Sequence, residues 1–288
     1  MAEFFVPKLA VVGVGLIGGS FALALKEAGL VGEIVGIGRG RANLETAREK
    51  GIIDAFTHSL SEGVAGADVV FLSTPVQTLS KVASEVLPHM KPGSILTDGG
   101  SVKADVIAAI EPMLPADVHF VPGHPVAGTE QSGAAAAFAT LYQGRRCILT
   151  PTSRTSPDAL AKIKHLWQAA GSEVVVMTPE KHDRILAAIS HLPHMVAYAL
   201  VDAVGNCSDE NENILNYSAG GFRDFTRIAS SDPTMWRDIA LSNRTALLEV
   251  IENFEKSLAE VKQDIAAGNG EGLYEFFLRS KQRRDAII

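Results

Sequence analysis

The sequence predicts an α/β protein in which a doubly wound, mostly parallel sheet precedes an all-helical region. Runs of β-branched residues alternate with helical periodicity as far as Thr178-Pro179, and no such alternation follows. The alternation indicates βαβ units, because a parallel strand needs a crossover to return, and right-handed crossovers cover both faces of a sheet. A chain of 288 residues is long enough for two domains, which we assign to residues 1–178 and 179–288.

Seven short segments rich in β-branched residues are the predicted strands of the first domain. They are Leu9–Val12, Glu33–Ile37, Val69–Ser73, Ile95–Thr97, His119–Val121, Cys147–Thr150 and Glu173–Met177. Stretches with apolar residues at helical spacing lie between several of them. These predicted helices are Ser20–Ala28, Ala42–Glu49, Leu79–Leu87 and Val102–Ile110.

Three long helical patterns make up the second domain. The segment Glu180–Val204 predicts one apolar helix with a kink at Pro193, because proline lacks the N–H that an interior helical turn needs. Asp232-Pro233 is typical of an N-cap followed by proline at the first helical position, and it opens a predicted helix over Thr234–Ala267. A third helix is expected from Gly272 to about Arg284.

Composition argues against several classes of protein. With 26 basic and 33 acidic residues the net charge is −7, whereas a nucleic-acid surface draws on clustered Lys and Arg. Cys147 and Cys207 form no CxxC pair, which argues against a disulfide scaffold or a zinc ribbon. The uncharged stretch between Lys8 and Lys26 is too short and too rich in glycine for a membrane span. A signal peptide would need a basic start, whereas Glu3 is the first charge and no A-x-A cleavage site follows. We therefore expect a soluble, cytoplasmic protein that binds neither nucleic acid nor membrane.

A glycine-rich turn lies between the first predicted strand and the first predicted helix. Its sequence is Gly13-Val-Gly15-Leu16-Ile17-Gly18. In a dinucleotide site the first glycine permits the tight turn, the second lets the pyrophosphate approach the backbone, and the third allows close packing of strand and helix. The pyrophosphate then lies at the N-terminus of the helix, where free N–H groups favour an anion. This context predicts a Rossmann-type domain that binds a nicotinamide dinucleotide.

The end of the second strand favours NADP over NAD. An NAD site usually carries an Asp or Glu there for the ribose hydroxyls. This chain has Gly38 and Arg39 instead, with Arg41 close by, and arginines without a carboxylate suit a 2′-phosphate. NAD remains the alternative, in which both arginines are solvated loop residues. Ser73-Thr74-Pro75 ends another buried strand at the carboxyl edge of the sheet, so we expect it to line the nicotinamide ribose.

Four separated motifs carry polar residues that a buried fold does not otherwise need. They are TDGGSVK from Thr97, PGHPVAGTEQSG from Pro122, SHLPH from Ser190 and GGFRDFTRIASSDPTMWRDI from Gly220. In this order they resemble the motifs of prephenate dehydrogenases and their arogenate-using relatives, the oxidative decarboxylases of tyrosine biosynthesis. The resemblance runs from the glycine turn to the last helix. It implies a Rossmann-type domain followed by a helical domain that dimerises, and hence a homodimer.

The resemblance also implies roles for particular residues. His124 of the GHP motif is implied to be the catalytic base, and Ser101 of the GSVK motif to hydrogen-bond both that histidine and the substrate hydroxyl. Glu130 of the AGTE motif is expected near the substrate. A neutral imidazole suits the role of base, because its ordinary pKa lies near neutrality.

The helical domain is expected to bind the substrate. The resemblance implies that Arg227 of the DFTR motif binds a substrate carboxylate, with Asp224 and Trp236 supporting the pocket. Guanidinium offers a bidentate grip on a planar carboxylate. His194 occupies a position that goes with the side-chain carboxyl of prephenate, which favours prephenate over arogenate. His182, His191 and His194 lack a completing ligand, so we predict no metal site.

Other functions remain open at this stage. Arogenate dehydrogenase is the nearest alternative within the family. Outside it, a β-hydroxyacid dehydrogenase would share the two-domain plan but leaves the GHPVAGTE and DFTR motifs unexplained. A regulator that senses a dinucleotide without turnover would give no reason for pairing His124 with Ser101.

Overall fold

The computed structural model describes residues 4–129, 131–208 and 213–287. Its first domain is built on six parallel strands in the order β3-β2-β1-β4-β5-β6. These strands are β1 (Val6–Val12), β2 (Val31–Ile37), β3 (Ala55–Thr57), β4 (Val69–Leu72), β5 (Ile95–Asp98) and β6 (His119–Val121). The order reverses between β1 and β4, and a crevice for ligands forms at the carboxyl ends of strands on either side of such a point.

Helices cover both faces of this sheet. They are α1 (Leu16–Glu27), α2 (Arg41–Glu49), α3 (Leu60–Val64), α4 (Val76–Val86), α5 (Ala104–Ile110) and α6 (Pro157–Ala169). Along β1, Leu9 and Val11 belong to one hydrophobic cluster, while Ala10 and Val12 belong to another. Since successive strand residues point to opposite faces, the two clusters are the two cores of a doubly wound sheet. The predicted fold class is confirmed.

A second, smaller sheet follows the six-stranded one. It contains β7 (Gly123–Pro125), β8 (Arg146–Leu149) and β9 (Glu173–Val176), with β7 antiparallel and β9 parallel to β8. The predicted strands Cys147–Thr150 and Glu173–Met177 therefore belong to this sheet rather than to the main one. The strand β7 has no β-branched residue and was not predicted, yet it carries His124.

The second domain is helical throughout its described part. Its helices are α7 (Pro179–Leu186), α8 (Leu192–Gly205), α9 (Gly220–Thr226), α10 (Pro233–Ser242), α11 (Arg244–Ala267) and α12 (Gly270–Asp285). Asp232 caps α10 by accepting a hydrogen bond from the Met235 N–H at 2.8 Å, as its sequence context predicts.

Two of the predicted long helices are interrupted. A π-helical turn at Ala187–His191 separates α7 from α8, so the irregularity lies one turn before Pro193. Proline has no backbone N–H, so the regular hydrogen-bond pattern of an α-helix cannot run through Pro193, and the π-helical turn lies just before that interruption. The predicted helix Thr234–Ala267 breaks at Asn243, because the buried amide of Asn243 turns back to hydrogen-bond the α7 carbonyl of Asp183 at 2.8 Å.

The stretch Pro179–Gly205 is long and apolar enough, by length and composition, to cross a membrane. Few of its residues are fully buried in the single chain, and Ile189 is exposed. Apolar side chains elsewhere in the helical domain are also exposed, including Leu241, Leu248, Leu258, Ile265 and Phe277. One chain therefore leaves a broad apolar surface on this domain without a partner.

Candidate active site

The glycine turn after β1 has the geometry that a dinucleotide site needs. Gly13 has φ of +93°, and a Cβ there would lie 2.4 Å from the Ser73 carbonyl oxygen. A Cβ on Gly18 would lie 2.5 Å from the Gly13 carbonyl oxygen. A Cβ on Gly15 would meet nothing within 4 Å, so this backbone faces open space. Each glycine thus suits its expected role, and the turn fits a pyrophosphate at the start of α1.

One of two large cavities extends from this turn along the end of β2. It has a volume of about 970 Å³ and includes Gly13, Gly15, Gly38, Ser73, Thr74 and Pro75 in its lining. Arg39, His58 and Lys81 line it as well, with Glu85 as the acidic group. Arg41 does not line the cavity, because its Nε donates to Glu45 one helical turn away at 2.8 Å. Of the two predicted arginines, Arg39 alone lines this cavity.

The other cavity, of about 810 Å³, lies between the two domains. Gly15, Ser73 and Gly133 line both cavities, so the two are neighbours across the glycine turn. Leu16 and Ile17, at the start of α1, line the cavity between the domains. The same cavity receives four residues predicted for catalysis or substrate binding: Ser101 and His124 from the first domain, and His194 and Trp236 from the second. The structure therefore places these residues beside the 970 Å³ cavity at the glycine turn, which is the candidate dinucleotide groove.

A buried ion pair fixes the strand that carries His124. The Lys103 ammonium and the Asp98 carboxylate are in contact, and both side chains are fully buried. Lys103 also donates to the Gly123 carbonyl at 2.8 Å, while Asp98 accepts the Gly123 N–H at 3.2 Å. Both backbone groups of Gly123 are thus held by the DGGSVK segment, and this holds β7 against the end of β5.

His124 belongs to a chain of three buried side chains. Its Nδ1 lies 2.8 Å from Nε2 of His182, and Nδ1 of His182 lies 2.7 Å from Oδ1 of Asp183. The expected hydrogen bond between Ser101 and His124 is absent from the described contacts, and His182 is the partner of Nδ1. Since His124 lines the cavity, Nε2 is the ring nitrogen left for a ligand.

The histidines of the site are uncharged at neutral pH. Burial lowers the pKa of His124 well below its ordinary value of 6.5, and His182, Lys103 and His191 lower it further. Burial likewise lowers the pKa of His191 to about 4. Burial lowers the pKa of His194 too, against the opposing effect of its hydrogen bond to Ser190. A neutral imidazole at His124 can accept a proton, which is the property required of a general base.

His194 and Trp236 form one wall of the cavity. Their rings stack with centroids 3.5 Å apart and planes inclined by 21°. Trp236 is held in a small hydrophobic cluster with Val102 and Ile239, which joins the two domains. The flat faces of this wall suit the ring of a cyclic substrate.

Three predicted substrate-binding residues are not placed in this cavity. Asp224 lies on α9 and Arg227 on the 3₁₀ turn that follows, and both are exposed and absent from the cavity lining. Glu130 lies outside the described residues. Arg145, which sequence analysis did not identify, is the one Lys or Arg among the described residues that line the cavity.

No group of three or more His, Cys, Asp or Glu residues could hold a metal ion in the described ranges 4–129, 131–208 and 213–287. His182 is engaged with His124 and Asp183, and His191 with Asn243 at 3.1 Å. These two histidines are therefore occupied by hydrogen bonds within the protein.

Two protein-family models match the chain in succession. Residues 21–176 match the nucleotide-binding domain of prephenate dehydrogenase, and residues 178–279 match its dimerization domain. The chain belongs to the prephenate dehydrogenase family. Membership supports an NAD(P)-dependent oxidoreductase and leaves no ground for the β-hydroxyacid dehydrogenase interpretation.

Individual relatives are similar to this protein over nearly its whole length. A cyclohexadienyl dehydrogenase of Zymomonas mobilis is 38% identical, over 97% of this chain and 95% of its own length. A crystal structure of prephenate dehydrogenase from A. aeolicus, in complex with hydroxyphenyl propionate and NAD+, is 40% identical with a TM-score of 0.93 and covers 98% of both chains. Synechocystis arogenate dehydrogenase is 31% identical, with a TM-score of 0.82, over 98% of this chain and all of its own.

Sequence analysis missed His182 and Asp183 as parts of the site. It weighed His182 only as a metal ligand, and the contact with His124 joins residues 58 positions apart. The one available signal was an adjacent His-Asp pair at the start of an amphipathic helix. Such a pair is common on protein surfaces, so the sequence alone could not identify it.

Proposed function

We propose that the protein catalyses oxidative decarboxylation of prephenate to 4-hydroxyphenylpyruvate with hydride transfer to NAD(P)+. The observation that carries this proposal is the position of His124, a buried neutral base in a cavity that adjoins the dinucleotide groove. Family membership and the A. aeolicus complex support it. As an enzyme of amino-acid biosynthesis, the protein is proposed to act in the cytoplasm, apart from membranes and nucleic acids.

Nε2 of His124 accepts the proton of the hydroxyl on the substrate ring, while the hydrogen on the carbon that bears this hydroxyl leaves as hydride. The bound nicotinamide supplies the acceptor for that hydride. The resulting ketone is conjugated with the ring and lies across from the carbon that bears the ring carboxylate. Loss of carbon dioxide from that carbon sends the bonding electron pair through the ring to the ketone oxygen and makes the ring aromatic. The phenolate oxygen takes back the proton that His124 removed, so the step requires no separate acid. Ser101 lines the same cavity and is proposed to hydrogen-bond the hydroxyl.

A cation is needed for the ring carboxylate, and the chain offers two arginines. Arg227 is favoured by its motif, with Asp224, Trp236 and Glu130 proposed to shape the same pocket. Arg145 is favoured by its position, since it lines the cavity. Substitution of each arginine in turn separates the two assignments.

Arogenate is the second candidate substrate, and His194 supplies the observation in its favour. Nδ1 of His194 lies 2.8 Å from the Ser190 carbonyl oxygen, so this nitrogen donates. The neutral ring then presents Nε2 as an acceptor. The ammonium group of arogenate donates to such an acceptor directly, whereas the side-chain carboxylate of prephenate requires the ring to gain a proton.

For the coenzyme we propose NADP, with NAD as the alternative. No carboxylate follows β2, and the adenosine end of the groove is lined by Arg39, His58 and Lys81 against the single acid Glu85. This balance favours a 2′-phosphate. The NAD+ of the A. aeolicus complex supports the alternative.

We further propose a homodimer formed through the helical domain. The support is the match to a dimerization domain together with the exposed apolar side chains of α10, α11 and α12 and of Ile189 just before α8.

The experiment follows coenzyme reduction by absorbance with purified protein. Prephenate and arogenate are each tested with NADP+ and with NAD+. We expect reduction with prephenate, accompanied by one carbon dioxide per coenzyme reduced. Failure of all four combinations, with coenzyme binding intact, would refute the proposed activity and support a dinucleotide-sensing regulator.

A further inference from the structure

We propose that His182 and Asp183 are positioning residues that hold His124 in the tautomer whose Nε2 is free to accept the substrate proton. The proposal rests on the proposed function, in which His124 is the base. It concerns residues that do not line the substrate cavity and would reach the substrate only through His124.

The direction of the hydrogen bonds follows from the charge on Asp183. Burial works to raise the pKa of this carboxyl, but hydrogen bonds from His182 and from the backbone N–H groups of Lys103 and Ala104 outweigh it and lower the pKa. Both backbone bonds are 2.9 Å long. Asp183 is therefore a carboxylate at neutral pH, and a carboxylate only accepts hydrogen bonds.

The proton positions on His182 and His124 follow from the charge on Asp183. Because Asp183 accepts, Nδ1 of His182 carries a proton and donates. Burial lowers the pKa of His182, so its ring is neutral and Nε2 holds a lone pair. That lone pair accepts from Nδ1 of His124. A neutral His124 with its proton on Nδ1 has its lone pair on Nε2, on the side available to the substrate.

The surroundings hold this arrangement in place. His182 and Asp183 are buried at the start of α7, and Asp183 caps the beginning of α5 in the first domain through two backbone N–H groups. From the other side, Asn243 donates to the Asp183 carbonyl at 2.8 Å. The charged and titratable groups around His124 are His182, Lys103 and His191, with Asp98 paired to Lys103. The hydrogen bonds that join Asp183, His182 and His124 thus orient His124 across the boundary between the two domains.

The same chain stabilises the product of proton transfer. When Nε2 takes the hydroxyl proton, His124 becomes an imidazolium, and its Nδ1–H bond to His182 lies in line with the negative charge of Asp183. In serine proteases, a buried aspartate orients the catalytic histidine directly, and its change to asparagine lowers kcat by about 10⁴-fold. Here an intervening imidazole transmits the effect, so we expect a smaller loss.

The first experiment measures the tautomer of His124 by ¹⁵N NMR of histidine-labelled protein without substrate, with the signal assigned by its loss in His124→Asn. We expect a proton on Nδ1 and a bare Nε2. A proton on Nε2 would overturn the proposal. Since this measurement needs no turnover, it remains decisive even where the proposed activity fails.

The second experiment compares kcat in three variants. Asp183→Asn is expected to lower kcat by about 100-fold or more, with coenzyme affinity unchanged. His182→Gln retains an amide oxygen able to accept from His124 and is expected to keep at least tenfold more activity than His182→Leu. Equal activity of the two His182 variants, or an unchanged kcat in Asp183→Asn, would overturn the proposal.

Asp105→Asn is the matched control. Asp105 lies on α5 near enough to Asp183 for the two carboxyl charges to interact, but it does not contact His124 or His182. Its substitution removes a neighbouring negative charge and leaves the hydrogen-bonded chain intact. We expect kcat within about twofold of the parent. The larger loss in Asp183→Asn would then be due to the hydrogen bonds that Asp183 accepts rather than to a change in nearby charge. A loss equal to that of Asp183→Asn would assign the effect to charge alone and overturn the positioning role.

Discussion

Replacement of Lys103 by methionine tests the buried ion pair that holds β7, the strand of His124, in place. Methionine keeps most of the side-chain length and removes the ammonium group. Asp98 then loses its ion pair while fully buried, and the Gly123 carbonyl loses its 2.8 Å donor. The Asp98 carboxylate keeps the backbone N–H groups of Gly100 at 2.9 Å and of Gly123 at 3.2 Å. Two backbone hydrogen bonds do not neutralise a charge.

The expected cost is large for a single side chain. Removing one partner of a buried ion pair costs about 3–5 kcal/mol, because an uncompensated charge stays in the interior. For a protein of this size, that loss lowers the Tm by roughly 5–8 °C, because the entropy of unfolding grows with chain length. In the double variant Asp98→Asn/Lys103→Met neither of the two positions carries a charge, so we expect it to lose less than half of what Lys103→Met loses.

The assay is urea unfolding followed by circular dichroism, with the three variants Lys103→Met, Asp98→Asn and the double. A loss below about 1 kcal/mol in Lys103→Met would refute the reasoning, because such values are typical of exposed pairs. Additive losses in the double variant would refute it as well, since they would show that the two groups do not interact.

Three other predictions concern specificity. The ratio of kcat/KM for prephenate to that for arogenate should rise as pH falls below 6.5, because His194 gains the proton that a carboxylate needs; a ratio independent of pH contradicts this. Arg39→Ala should raise KM for NADP+ by roughly 10-fold or more and change KM for NAD+ little, with Arg41→Ala as the inert control; equal effects on both coenzymes contradict it. Arg227→Gln should raise KM for the substrate by roughly 10-fold or more, and if Arg145→Gln alone does so, the carboxylate site belongs to Arg145.

Much of the fold could be predicted because its signals are local. The alternation of β-branched and helical segments, the glycine turn at Gly13 and the Asp232-Pro233 cap each depend on a few neighbouring residues, and the structure has them where the sequence indicates. The strand Ala55–Thr57 is too short for any periodicity to show, and Gly123–Pro125 consists of residues that are not typical of strands.

The site could be predicted only where its residues stand in recognisable motifs. His124, Ser101, His194 and Trp236 meet in one cavity as expected. The break at Asn243 and the chain through His182 depend on contacts between residues more than 50 positions apart. A helical pattern is continuous across Asn243, so only the folded chain shows that its amide is needed elsewhere.

The most direct test of the account is kcat for His124→Asn beside the dissociation constant of its coenzyme. Asparagine retains an N–H near the position of Nδ1 for the bond to His182 but has no basic nitrogen. We expect a fall in kcat of about 100-fold or more, with coenzyme affinity unchanged, because the variant lacks the base. A variant that binds coenzyme normally and keeps the parent kcat would show that His124 is not the base.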